Sequence, residues 1–158
     1  MSKIKIRFAI PSDLDELVRL SVLFNEHFHM LDGTVSNGSA QSNKALIKKL
    51  NFSKNPLMRT LIAELEGRII GAISFYKGFT VDTGEVYHFP YFFIRPEYRG
   101  SRAALFLFDS IKKIAKKEKI KFIAFSVYGK NKNAVKLYEH IRAKYWANDD
   151  EHFMYLEL

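Results

Sequence analysis

The stretch from Ile94 to Ala104 constrains this chain more than any other. It reads Ile94-Arg95-Pro96-Glu97-Tyr98-Arg99-Gly100-Ser101-Arg102-Ala103-Ala104 and leads from an aromatic-rich strand into a long helix. The helix is marked by Ala103, Ala104, Leu107, Phe108, Ile111, Ile114 and Ala115 at helical spacing. The first turn of a helix carries unpaired backbone N–H groups and a partial positive charge. A phosphate placed there gains several donors at once. Gly100, Ser101, Ala103 and Ala104 are small enough to let a phosphate reach the backbone, and Arg99 and Arg102 add charge-assisted hydrogen bonds. The stretch reads as a phosphate-binding helix start, with an ordinary helix start bearing surface arginines as the alternative.

The elements around this loop read as one α/β domain spanning residues 1–158. Ile4, Ile6, Phe8 and Ile10 alternate, which is a strand over Lys3–Ile10 that Pro11 stops. Asp13 with Glu16 three residues on resembles a capping box, opening a helix that ends near His29. Polar residues from Asp32 to Gln41 read as a loop and Ala45–Leu50 as a short helix. Leu57–Ala63 and Ile69–Tyr76, separated by Glu66-Gly67, form a hairpin. The next strand, about Glu85–Ile94, contains Pro90, which cannot donate to a ladder, so a bulge or broken pairing is expected there. Phe122–Val127 is a strand, Asn131–Ile141 a helix and Glu151–Leu158 a closing strand.

Composition narrows the chemistry. There is no cysteine, so a disulfide, a cysteine-ligated metal and an acyl-cysteine intermediate are all closed. No apolar run reaches the roughly 18 residues of a membrane span, and the N-terminus alternates charge with apolar residues, unlike a signal peptide. A cytoplasmic location without membrane attachment is the expectation. The net charge of +8 fits nucleic acid, an anionic surface or a polyanionic small molecule, and does not choose among them.

A second pattern follows at Val127-Tyr128-Gly129-Lys130-Asn131-Lys132-Asn133-Ala134-Val135-Lys136-Leu137-Tyr138-Glu139. Asn131 can cap the helix it begins. Together the two stretches resemble the GCN5-related N-acetyltransferases, the GNAT superfamily. Ile94-Arg95-Pro96-Glu97-Tyr98-Arg99-Gly100 is similar to that family's Val-x-Pro-x-Tyr-Arg-Gly lead-in. Arg99 and Ala104 fit the first and last positions of its Gln/Arg-x-x-Gly-x-Gly/Ala loop, with Arg102 where glycine is usual. Arg102 either replaces a close backbone approach with a contact to phosphate, which is favoured electrostatically, or crowds the loop. The second stretch resembles Val-x-x-x-Asn-x-x-Ala-x-x-Leu-Tyr-Glu, and Arg142-Ala143 stands where the family has a glycine helix stop. There is also local resemblance to diamine acetyltransferases.

The resemblance implies a mixed, mostly antiparallel sheet whose fourth and fifth strands splay apart, flanked by helices. It implies acetyl-CoA as co-substrate, no metal, and direct transfer of the acetyl group to a primary amine of a small molecule or peptide. Phe92, Phe93 and Ile94 would line the pantetheine arm. Arg99, Gly100, Ser101, Arg102, Ala103 and Ala104 would hold the pyrophosphate, and Asn131 would lie near the arm. Tyr138 would protonate the departing thiolate, since a phenol of pKa about 10 can protonate a thiolate whose acid has a pKa near 8.5. Proline occupies one common position of the family's strand glutamate, at Pro90, and His88 occupies another. His88 is the candidate base, with Glu85 in reserve. Glu26, within Asn25-Glu26-His27, and Glu85, with Asp32, are candidates to hold a cationic amine. Relatives are often dimers, and nothing in the sequence defines an interface. The competing reading is a degenerate acyl-CoA-binding module, or a basic module that uses Lys112–Lys121 on nucleic acid. No aromatic RNA-binding signature accompanies that run, which reads more readily as a solvated helix face.

Overall fold

The computed structural model describes residues 3–33, 39–81, 83–145 and 151–157. In chain order these form β1 (Lys5–Phe8), α1 (Leu14–Asp32), α2 (Ala40–Phe52), β2 (Arg59–Leu65), β3 (Arg68–Thr80), β4 (Gly84–Ile94), α3 (Ala103–Lys117), β5 (Phe122–Tyr128), α4 (Lys132–His140), β6 (Lys144–Tyr145) and β7 (Glu151–Glu157). The strands make a mixed, mostly antiparallel sheet in the order β1-β2-β3-β4-β5-β7-β6, in which β1–β2, β2–β3, β5–β7 and β6–β7 are antiparallel and β4–β5 is parallel. The chain divides into two compact units, residues 1–75 with 91–111, and residues 76–90 with 112–158. β3 and β4 each contribute residues to both.

In the first unit, the apolar face of α1 meets the strands through Leu17, Leu20, Ile62, Ile69, Ala72 and Phe93. The start of α1 departs from the sequence expectation. Pro11, with φ preset for a helix, starts a 3-10 turn over Pro11–Asp13. Asp13 therefore sits at the third position of that turn, and its carboxylate reaches back to accept from the Ile10 N–H at 2.8 Å. It makes no cap bond to α1 itself. α1 runs on to Asp32, where Gly33 closes it with φ 75° and donates to the His29 carbonyl at 2.8 Å. α2 begins at Ala40, five residues earlier than its apolar pattern implies, because Ser39 caps it by accepting from the Ser42 N–H at 3.1 Å. Residues 34–38, within the expected loop, lie outside the described residues. The β2–β3 turn places both Glu66 (φ 52°) and Gly67 (φ 77°) in the left-handed region, as a two-residue hairpin requires. The register of this pair shifts once, between Ala63 and Glu64.

In the second unit, β5 pairs in parallel with β4 and antiparallel with β7. The parallel register runs Val86–Phe122, Tyr87–Ile123 and His88–Ala124, and stops two residues before Pro90. β5 continues beside β7 as far as Tyr128. The strand break expected at Pro90 thus takes the form of an early end to the parallel pairing. β6, two residues long and paired with β7, carries no pattern visible in the sequence.

Candidate active site

The loop after β4 is a relay of tight turns. The Tyr98 N–H donates to the Arg95 carbonyl at 2.9 Å, the Arg99 N–H to Pro96 at 3.2 Å and the Ser101 N–H to Tyr98 at 3.2 Å. Gly100 has φ 81°, a conformation that other residues adopt at a cost of about 1–2 kcal/mol. This reverses the chain and aims α3. Ala103 is fully buried at the start of that helix, which fixes its first turn in place. The Ser101 hydroxyl accepts from the Ala103 N–H at 3.3 Å. Helix geometry leaves the first-turn amides without intrahelical acceptors, and this long bond is one an anion can replace.

Arg99 is exposed, with its guanidinium over the Phe93 ring at 5.5 Å and its Nε donating to the Ile94 carbonyl at 3.4 Å. Arg102 is also exposed and stacks over Phe106, one turn along α3, at 5.1 Å. It leans along the helix and does not fill the loop. Phe92 packs on Phe108 with ring centroids 5.0 Å apart, while Phe93 and Ile94 are buried. Gly71 on β3 is what allows β4 to lie so close here. A Cβ at Gly71 would stand 2.3 Å from Ile94 Cδ1 and 2.8 Å from the Phe93 carbonyl oxygen. Glu26 is exposed on α1. Its neighbour His27 lies 6.3 Å from the Phe93 ring and titrates below the ordinary 6.5, because burial and then the nearby Arg99 charge disfavour its cation.

The first unit therefore gathers Glu26, Phe92, Phe93, Ile94 and residues 99–104. The other sequence-predicted residues belong to the second unit. Asn131 caps α4, its side chain accepting from the Ala134 N–H at 3.3 Å. Tyr138 is buried, its ring 4.5 Å from Phe125 and 6.1 Å from Phe89. Burial pushes its phenol above the ordinary value of 10, so it holds its proton throughout the working range. His88 stacks on Tyr76 at 5.4 Å, and burial lowers its pKa below 6.5. Gly78 makes room for that ring, since a Cβ there would stand 2.5 Å from His88 Cδ2. Successive side chains on a strand point to opposite faces. Phe89 faces Tyr138, so His88 faces the other way. Glu85 is exposed and lies 3.6 Å from Lys77.

Two features escaped the sequence reading. Arg95 is buried and ion-paired with Glu16, although the lead-in pattern treats its position as variable. Tyr91 packs against Phe24 at 4.9 Å, and its buried hydroxyl has no hydrogen-bond partner among the described residues. Both are long-range pairings, of α1 with β4 and with the residue that follows it, that no local spacing announces. Among the described residues no group of three or more His, Asp or Glu could hold a metal ion. No helix among them is long and apolar enough to cross a membrane.

β4 outlasts its parallel pairing with β5 and leads through a glycine-reversed turn into α3, within one mixed α/β sheet. The sequence matches the Acetyltransferase (GNAT) family over residues 24–142, three quarters of the chain. The chain belongs to that family and is an acetyltransferase. Solved structures of the same fold include a GNAT-family acetyltransferase from Staphylococcus aureus Mu50, 16% identical over 99% of both chains with a TM-score of 0.77. PaiA N-acetyltransferase from Thermoplasma acidophilum, in complex with coenzyme A, is 18% identical over 99% of both chains at 0.74. Ribosomal-protein-alanine N-acetyltransferase from Brucella melitensis biovar Abortus 2308 is 17% identical over 93% of this chain and 96% of its own at 0.71. No curated protein matches the sequence.

Proposed function

We propose that the chain moves an acetyl group directly from acetyl-CoA to a primary amine, on a small molecule or a peptide. The observation that carries this reading is the turn relay from Arg95 to Ser101, which ends on open amides, a serine hydroxyl and the Arg99 cation. These groups suit a pyrophosphate. Arg102, one turn further on, leaves the loop uncrowded and within reach of a second phosphate oxygen. Phe92, Phe93 and Ile94 would follow the pantetheine arm.

The chain's own residues supply the proton traffic. His88, neutral at pH 7, takes the proton the amine must lose as its nitrogen bonds to the acetyl carbon. The C–S bond breaks, and Tyr138, still protonated, gives its proton to the departing thiolate. His88 and Phe89 point to opposite faces of β4, so the two groups would approach the thioester from different sides. Exposed Glu26 and Glu85 would attract the acceptor's positive charge before it is deprotonated. Thermal unfolding with acetyl-CoA, with desulfo-CoA and ATP as comparators, tests the donor by linkage. A rise of several degrees with acetyl-CoA and little with ATP is expected, and a free-thiol assay across amines then finds the acceptor. No shift at saturating acetyl-CoA would transfer support to a basic binding module using the Lys112–Lys121 face.

A further inference from the structure

We infer that Glu16 and Arg95 form a positioning pair that sets the CoA loop from α1. This rests on the proposed use of acetyl-CoA and adds residues to which no role has been assigned. Arg95 is the first residue of the turn relay, and it is anchored three ways. Its backbone N–H donates to the Ile70 carbonyl at 2.9 Å, and its Nε donates to the Ile69 carbonyl at 2.9 Å. Its terminal nitrogen is hydrogen-bonded and ion-paired to the Glu16 carboxylate. The Arg95 side chain is 10% exposed and that of Glu16 22%. Burying a guanidinium this far from water is costly unless it is paired and hydrogen-bonded, as Arg95 is.

Arg95 also begins the relay, since its carbonyl accepts the first of the three turn bonds that end at Ser101. Each turn is registered on the one before, so the position of Arg95 sets that of Arg99, Gly100 and Ser101. Pro96 has no N–H and a fixed φ, which leaves the junction little freedom to absorb a shift. Glu16 lies in the first turn of α1, and its second oxygen accepts from Arg19 at 2.9 Å. One carboxylate on α1 thus holds the foot of the donor loop. The same helix carries Glu26 and His27 further along.

A second ion pair nearby provides the control. Arg7 and Asp13 meet through two hydrogen bonds of 2.7 and 3.0 Å, and with Glu16 and Arg95 they line a charged cleft of about 590 Å³. Asp13 bonds to Arg7 and to the Ile10 N–H, neither of them part of the loop relay. Glu16→Gln keeps the side-chain shape and removes the charge. It is expected to raise the KM for acetyl-CoA by roughly 3- to 10-fold while kcat at saturating acetyl-CoA stays within about twofold. Both substitutions are expected to lower the melting temperature, but Asp13→Asn should leave that KM within about twofold. Glu16→Asp, which keeps the charge but withdraws it by one methylene, should fall between wild type and Glu16→Gln, and serves if Glu16→Gln does not fold. An unchanged KM in the Glu16 variants, or an equal rise in Asp13→Asn, overturns the inference. Failure of the wild-type protein to bind acetyl-CoA sinks the proposed activity instead, so the two failures are told apart.

Discussion

The Ala143 N–H donates to the carbonyl of Tyr138 at 2.9 Å, closing α4 behind the tyrosine proposed as its acid. The Arg142 N–H bonds to Glu139 at 2.9 Å inside the same closure, and Arg142 itself has φ 64°. This is the bond pattern of a helix that stops on a left-handed residue, with arginine where glycine is usual. Arg142→Gly removes the Cβ strain and costs some unfolded-state entropy. It is expected to stabilise the protein by about 0.5–1 kcal/mol, read as a higher denaturant midpoint at unchanged slope. Lys119, φ 60°, ends α3 in the same way through Ile120 to Ala115 at 2.9 Å, so Lys119→Gly should add to the gain.

Tyr138 tests the acid directly. Its ring packs between Phe125 and Phe89, so Tyr138→Phe keeps the packing and removes only the hydroxyl. Turnover is expected to fall by roughly 10- to 1,000-fold with little change in acetyl-CoA affinity. An equal loss of both would make the tyrosine a packing residue.

How far the sequence carried depended on the range of the interaction. The loop, the Asn131 cap and the hairpin at Glu66-Gly67 are written in adjacent residues, and each stands where spacing placed it. The capping box at Asp13 was misplaced by one turn because Pro11 moved the helix start upstream. The helix stop at Arg142 carries no local signal, because arginine rather than glycine takes the left-handed conformation there. Glu16–Arg95 and Gly71 against Ile94 are invisible to any local pattern. They depend on which strand of the sheet comes to lie beside which.

Asp13 gives a pH dependence of known sign. Two bonds from Arg7 and one from the Ile10 N–H hold its carboxylate below the usual 3.8, working against its burial. The folded state therefore binds this proton more weakly than the unfolded chain does. The stability it contributes is complete above about pH 4–5 and is lost as pH falls through the lowered value. Asp13→Asn should cost about 1–2 kcal/mol at pH 7 and flatten the acid side of the stability profile. A parallel downward shift at every pH would mean that the charge of Asp13 is not what matters.

His88 is the sharpest test of the proposed chemistry. Burial lowers its pKa below 6.5, so the imidazole is already neutral, and competent as a base, at pH 7. The expected log kcat/KM profile is flat above neutrality and falls with unit slope once pH drops through that lowered value. His88→Ala should reduce kcat/KM at pH 7.5 by roughly 10- to 100-fold and abolish the acidic limb. Gly78→Ala approaches the same group without deleting it, since the added Cβ would press on Cδ2 of the ring from 2.5 Å. It should lower kcat/KM in the same direction while keeping the acidic limb. If His88→Ala leaves the limb intact, the proton goes elsewhere. Exposed Glu85, acting through water beside Lys77, is then the base to mutate next.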